Sequence, residues 1–124
     1  MNPNLEVILE PRDAFLVLEL RGKYNFSVLR KTIEEVGRRC RETGCRCILA
    51  DARGQVGVIG LLDQQHIGEE IAREIPRGYH VAVVVSEARL AMDRHLETVA
   101  VNRGVPFRLF TDLDEAHRWL TSSK

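Results

Sequence analysis

The chain lacks most of the features that mark a specialised class of protein. No apolar run approaches the ~20 residues of a membrane-spanning helix, so no transmembrane segment is predicted. Its 18 basic and 18 acidic residues cancel, which leaves no net field to attract nucleic acid. Three cysteines cannot all pair within one chain. An odd number of cysteines suits a reducing compartment. Because the N-terminus shows no targeting signal, a cytoplasmic protein is predicted.

Motifs for catalysis and metal binding are also missing. Cys40, Cys45 and Cys47 have the spacing C-x₄-C-x-C, whereas zinc sites usually need four ligands and C-x-x-C pairs. His66 and Glu70 lie one helical turn apart, but a catalytic metal would need a ligand from another segment. No nucleophile stands beside a recognisable base. The sequence therefore predicts a non-enzymatic protein with no metal and no cofactor.

The composition is that of an ordinary globular domain. Apolar residues make up 44% of the chain and charged residues 29%, both typical values. A chain of 124 residues buries roughly two-thirds of the surface that its unfolded form exposes. Residues 1–124 are predicted to form one domain.

Hydrophobic patterning predicts an α/β fold. Residues 5–10 alternate as an edge strand, residues 11–14 form a turn, and residues 15–21 form its hairpin partner. A helix over residues 27–43 ends at Gly44. Residues 45–52 and 80–85 are nearly continuous apolar runs, which are typical of central parallel strands.

The remaining segments complete a regular alternation. One helix is predicted after the loop at residues 51–60 and runs to about residue 75; its Gly68 would let the backbone approach the sheet. Another helix is predicted over residues 88–103, with Met92 facing inward. A short strand follows Pro106, and Asp112 with Glu115 begins a last helix. The order is β-β-α-β-α-β-α-β-α, a mixed, mainly parallel five-stranded sheet.

This order has a consequence for the faces of the sheet. If the four later strands lie in sequence order, right-handed crossovers put every crossover helix on one face. The other face then needs cover from a terminal helix, a second subunit or an apolar ligand.

Several local matches point to a family. They are ILADARG at 48–54, AVVV at 82–85, ETVAVNRG at 97–104 and FTD at 110–112, within the C-terminal two-thirds of the chain. With the layout, they resemble the SpoIIAA-like family of the STAS superfamily, relatives of bacterial anti-sigma-factor antagonists. The resemblance implies a single STAS-like domain that binds rather than catalyses.

The resemblance also shows a departure. Regulatory antagonists carry a phosphorylatable Ser or Thr in the loop before the second helix. Residues 54–61 here read GQVGVIGL, with no hydroxyl, so no phosphorylation switch is expected there. Some of the broader group are classed with lipid-carrier domains, which keeps an apolar ligand as an alternative.

The best candidate site is the predicted loop at residues 51–60. Ligands of open parallel sheets bind beyond the carboxyl ends of the strands, and its glycines would let backbone N–H groups approach an anion. The spacing G-x-x-G-x-x-G is neither a dinucleotide fingerprint nor a Walker A loop, so ordinary turn glycines are the alternative. The predicted ligand- or partner-binding residues are Lys23, Tyr24, Asp51, Arg53, Gly54, Gly57, Gly60 and Ser86.

These observations favour a non-enzymatic binding or regulatory module of bacterial type. It is expected to be a homodimer with a regulatory protein partner. The alternative is a carrier or sensor for a small ligand, either lipid-like or anionic, such as a nucleotide.

Overall fold

The computed structural model describes residues 5–122. Ten elements follow one another: β1 (Glu6–Arg12), β2 (Phe15–Lys23), α1 (Phe26–Thr43), β3 (Cys47–Val56), α2 (Leu61–Glu74), β4 (His80–Val84), α3 (Glu87–Met92), α4 (Arg94–Asn102), β5 (Phe107–Phe110) and α5 (Leu113–Ser122). Within the described range, no helix is long and apolar enough to cross a membrane.

One sheet contains all five strands in the order β1-β2-β3-β4-β5. The edge strand β1 is antiparallel to β2, and the other neighbours are parallel. The predicted hairpin and the mainly parallel sheet are confirmed. The four later strands lie in sequence order, which is the condition under which the crossover helices share one face. The third crossover contains two helices where the sequence predicted one.

Helices cover the two faces of the sheet unequally. On the inner face, α1, α2 and α4 pack against a large aliphatic core that extends across all five strands. On the outer face, α5 packs against β3, β4 and β5, where Ala116 and Leu120 meet Leu49 and Val84. The terminal helix therefore provides part of the expected cover. The outer face of β1 and β2 is left open, and Ile8 there is 46% exposed.

The first hairpin is tighter than predicted. β1 continues through Pro11 and Arg12, and only Asp13 and Ala14 form the turn. Pro11 is tolerated because an edge strand leaves one row of N–H groups without a ladder partner. Asp13 has a φ of 59°, a conformation that Asp adopts more readily than most residues.

The third strand is also longer than its apolar run. Residues 51–56 belong to β3, not to a loop, and the parallel pairing with β2 continues as far as Lys23 and Val56. A register shift between Glu19 and Arg21 accommodates Gly54 opposite Arg21. The predicted loop at residues 51–60 is therefore wrong in its first half. The connection to α2 consists of residues 57–60.

The third crossover is broken at Asp93 by a side chain from α2. In a continuous helix the N–H of Leu96 would donate to the carbonyl of Met92. Instead Gln64 Nε2 donates to the Met92 carbonyl at 2.8 Å, and the Leu96 N–H donates to Gln64 Oε1 at 2.9 Å. A side chain inserted into the hydrogen-bond ladder is a known cause of helix breaks. Met92 is consequently 43% exposed, which corrects its predicted inward position.

Close helix packing explains a helical glycine. A Cβ on Gly68 would lie 2.7 Å from Val99 Cγ1. Gly68 therefore lets α2 approach α4. The sequence had predicted a close approach to the sheet, and this is corrected. The predicted helix ends are confirmed at Gly44, whose φ is 74°, and at Asp112, whose Oδ1 accepts from the Asp114 and Glu115 N–H groups.

Candidate binding surface

The carboxyl ends of β2 and β3 are joined through Tyr24. Its N–H donates to the Val56 carbonyl at 2.8 Å, and its hydroxyl donates to Asp63 Oδ2 in the first turn of α2, also at 2.8 Å. Burial, followed by the hydrogen bond to Asp63, raises the pKa of Tyr24. The phenol therefore stays a neutral donor that ties the start of α2 to the sheet edge.

The connection between β3 and α2 alternates between core and solvent. Ile59 is only 4% exposed, and its carbonyl accepts from Gln64 Nε2 at 2.7 Å. Val58, on one side of Ile59, is 68% exposed, and Leu61, two residues beyond it, is also 68% exposed. The connection is thus anchored by Ile59 while its other apolar side chains face outward.

Four exposed apolar side chains lie within seven consecutive residues here. Their exposed fractions range from 59% to 69%, whereas scattered single residues are the norm on protein surfaces. We call this cluster the apolar rim; its members are Val56, Val58, Leu61 and Leu62.

The predicted site residues fall into three groups. Lys23 and Tyr24 lie at the end of β2, where Lys23 pairs with Val56 and a Cβ on Gly57 would lie 3.6 Å from Tyr24 Cβ. Gly60 is the N-cap residue of α2. These residues adjoin the apolar rim.

Asp51 and Arg53 are directed elsewhere. They lie within β3 and form a two-point ion pair, with Arg53 Nε 3.0 Å from Asp51 Oδ1 and Nη2 2.8 Å from Oδ2. The hydrogen bond from Arg53 lowers the pKa of Asp51. Asp51 borders the groove between the open sheet face and α5, with Ile8 and Glu19. Strand alternation places this pair on the outer face, so its predicted place in a loop is corrected.

The two other predicted residues do not share one loop with Gly57. Gly54 lies inside β3, where a Cβ would come within 3.3 Å of the Leu20 carbonyl oxygen. Ser86 is the exposed N-cap residue of α3, without a side-chain capping bond. The three glycines therefore do not form the single backbone cradle that their spacing suggested.

Sequence reasoning gave little weight to the apolar rim itself. Leu62 lies one turn before His66, and both are off the inward stripe of α2 that contains Ile67 and Ile71. An apolar residue off the inward stripe of a helix indicates an exposed apolar side chain, so this member of the rim could have been predicted from the sequence. Val58 and Leu61 have no such signal, because their exposure depends on which residue of the connection enters the core.

Three carboxylates converge at the end of α2. Among the described residues, oxygens of Glu34, Glu70 and Glu74 lie within 4.8 Å of one another. Glu70 pairs with Arg73, and Glu34 pairs with Arg30 at 3.1 Å. Two of the three are already neutralised by arginine, and we assign no metal to this cluster.

The cysteines occupy different layers. Cys40 and Cys45 belong to the inner core, and Cys47 packs against the cluster under α5. None of the three forms a disulfide within the described residues. Burial raises the pKa of Cys40 to about 11, so its thiol stays protonated and unreactive near neutral pH.

Comparison with solved structures finds the same fold in the crystal structure of an anti-sigma factor antagonist from Mycobacterium paratuberculosis. The TM-score is 0.64, the match covers 94% of each chain, and the sequence identity is 15%. At that identity the likeness establishes the fold alone. The chain therefore has the STAS-like α/β fold that its sequence resemblance predicted. No protein-family model matches the sequence, and no curated protein matches it either.

Proposed function

We propose that this protein is a non-enzymatic regulatory module that binds a protein partner through the apolar rim. The observation that carries the proposal is the cluster of four exposed aliphatic side chains at the carboxyl edge of the sheet. Exposed apolar clusters of this kind mark interaction sites. The fold shared with an anti-sigma factor antagonist supports a regulatory partner of the anti-sigma-factor kind.

The rim is suited to binding because its backbone is already fixed. Ile59 anchors it in the core, Gln64 binds the Ile59 carbonyl, and the Tyr24–Asp63 hydrogen bond holds the start of α2. A surface that is ordered before binding loses less conformational entropy when a partner docks. Residues 54–61 contain no Ser or Thr, so we propose that phosphorylation of this segment does not control binding.

The homodimer is a second part of the proposal. Besides exposed Ile8, the open sheet face has paired charges of both signs, including Glu19 with Arg21 and Asp51 with Arg53. A two-fold contact brings a patch against its own copy, so a patch with both signs complements itself. These features support a second copy of this chain as the occupant of the open face.

The alternative function, a carrier or sensor of a lipid-like, anionic or nucleotide ligand, stays a prediction. Pockets for such ligands typically enclose about 300–1,000 Å³. The apolar cavity in the core measures about 100 Å³, which favours a much smaller molecule.

The test is a direct binding measurement with the anti-sigma factors encoded in the source genome, each titrated against this protein by calorimetry. We expect one of them to bind. Because a carboxylate in an apolar interface is desolvated without a partner, Leu61→Asp and Leu62→Asp should each weaken that binding at least tenfold, about 1.4 kcal/mol. Val101→Asp is the matched control, since Val101 is an exposed aliphatic residue on α4. Failure of all these proteins to bind, or equal loss with Val101→Asp, would contradict the proposal.

A further inference from the structure

The inner core contains a cavity with one polar end. It measures about 100 Å³ and lies between the sheet and helices α1, α2 and α4, among side chains such as Ile33, Ile67 and Leu96. An empty apolar cavity of about 150 Å³ is large enough to bind benzene, and one water takes about 30 Å³. The cavity therefore has room for a small organic molecule. Its polar lining residues are Thr32, Gln55 and Asp93.

Buried polar atoms without a partner cluster at this end. Gln55, Arg89 and Asp93 are 7%, 9% and 3% exposed. Among residues 5–122, Gln55 Oε1, Asp93 Oδ1, Arg89 Nε and Arg89 Nη2 have no hydrogen-bond partner within the protein. Leaving such a group buried without a partner destabilises the fold, and native proteins contain few of them. Two of these atoms, Gln55 Oε1 and Asp93 Oδ1, belong to residues that line the cavity, and both are acceptors.

The charges at this end cancel. Arg89 Nη2 lies 3.4 Å from Asp93 Oδ2, and Arg89 Nη1 donates to the Gln55 backbone carbonyl at 3.3 Å. An ionic ligand would bring an unbalanced charge into the core, which is costly. The two acceptor oxygens of Gln55 and Asp93 instead suit a neutral group that donates hydrogen bonds.

We propose that this cavity binds a small neutral amphiphile, an aliphatic alcohol or primary carboxamide. The polar group donates to Gln55 Oε1 and Asp93 Oδ1, and the aliphatic chain lies among the core side chains. The volume limits the ligand to about four to six non-hydrogen atoms. Because the binding free energy per ligand atom has an upper limit, a ligand of about five atoms binds no tighter than the micromolar range. This inference goes beyond partner binding at the apolar rim and does not depend on it.

The test follows the methyl resonances of the intact protein by NMR during titration with 1-butanol or butyramide. We expect saturable shifts at Ile33, Ile67 and Leu96, with dissociation constants of millimolar or below. Gln55→Leu removes an acceptor without opening space, and it should weaken binding of both probes at least fivefold. Xenon, which needs no hydrogen bond, should still enter this variant and report an intact cavity.

Two further variants separate ligand binding from general effects on packing. Thr32→Val is the matched control, because Thr32 lines the cavity but its hydroxyl already donates to the Val28 carbonyl at 2.8 Å. It should leave the affinities unchanged. Ala50→Val adds volume at the wall and should weaken every probe, xenon included. Butanol shifts confined to exposed residues, equal affinity in Gln55→Leu, or a cavity that keeps only water would overturn the proposal.

Discussion

The side-chain amide of Gln64 lies between the carbonyl of Met92 and the N–H of Leu96, two backbone groups that would bond to each other in a continuous helix. The same amide also binds the Ile59 carbonyl. The side chain is 1% exposed. One buried glutamine thus fixes the β3–α2 connection and the break between α3 and α4 at the same time.

Replacing this glutamine should destabilise the fold. In Gln64→Leu the Ile59 and Met92 carbonyls lose the Gln64 donor, and the Leu96 N–H keeps only its bond to the Asp93 carbonyl. We therefore expect the free energy of unfolding to fall by about 2–4 kcal/mol. Urea denaturation measures the change. Gln65→Leu is the control, because the half-buried Gln65 amide bonds only to side chains, those of Glu69 and His95, and to no buried backbone group. It should cost no more than about 1 kcal/mol. Equal stability of the two variants would contradict this role for Gln64.

The contact between α2 and α4 can be tested at Gly68. Ala favours a helix interior by about 1 kcal/mol over Gly, but here its Cβ would lie 2.7 Å from Val99 Cγ1. We expect Gly68→Ala to destabilise the protein by about 1–3 kcal/mol. In a Val99→Ala background the same change should cost much less, as a double-mutant cycle would measure. Stabilisation by Gly68→Ala alone would show that the helices readily move apart.

Two glycines beside the apolar rim should respond differently to alanine. Gly57 has a φ of 100°, so Gly57→Ala should cost about 1 kcal/mol or more. Gly60 has a φ of −66°, and a Cβ added there would meet no atom within 4 Å. Gly60→Ala should change the free energy of unfolding by no more than about 0.5 kcal/mol. Thermal unfolding of the pair checks this, and a larger loss at Gly60 would contradict it.

Asp93 and Asp51 should affect the pH dependence of stability in opposite directions. Burial raises the pKa of Asp93 despite Arg89, so the folded state holds this proton more tightly than the unfolded chain. Its contribution to stability therefore falls as pH rises from the ordinary value of 3.8 to the raised one, and is constant above it. Asp93→Asn should remove that fall, which urea unfolding between acid and neutral pH would detect.

For Asp51 the sign is reversed. The hydrogen bond from Arg53 lowers the pKa of Asp51, so its contribution is complete above 3.8 and is lost as pH falls through the lowered value. Asp51→Asn should remove this loss on acidification. An Asp51→Asn curve with the same shape change as the Asp93→Asn curve would contradict one of the two assignments.

The proposed dimer can be tested at the open sheet face. Light scattering after size-exclusion chromatography should give twice the monomer mass for the natural sequence. Ile8→Lys should give a monomer, because a lysine at an apolar contact must be desolvated. Val101→Lys, at a similarly exposed residue of α4, should leave the dimer intact. A monomer at every concentration, or a dimer insensitive to Ile8→Lys, would contradict the proposed interface.

Local patterns in the sequence were enough to predict most of the fold. Uninterrupted apolar runs identified β3 and β4 as central strands, and alternation identified β1 as an edge. Asp112 and Gly44 marked helix ends through their own conformational preferences. These features depend only on residues close together in the chain, so they can be recognised in a single sequence.

What could not be predicted depends on distant partners. The polar segment at residues 51–56 resembles a loop, and it becomes a strand because β2 extends far enough to pair with it. The break at Asp93 comes from Gln64 in another helix. The same limit applies to the site, since Tyr24 and Gly57 meet at the sheet edge as expected, whereas alternation within the lengthened β3 turned Asp51 to the outer face.

The position of α5 has a consequence during folding. This helix covers the outer side of β3, β4 and β5, and it follows all three strands in the chain. Until residues 113–122 dock, the sheet can pair but the strip around Leu49 and Val84 faces water. Partly folded chains with such uncovered strips are prone to aggregate. The folding protein passes through this vulnerable interval until α5 docks.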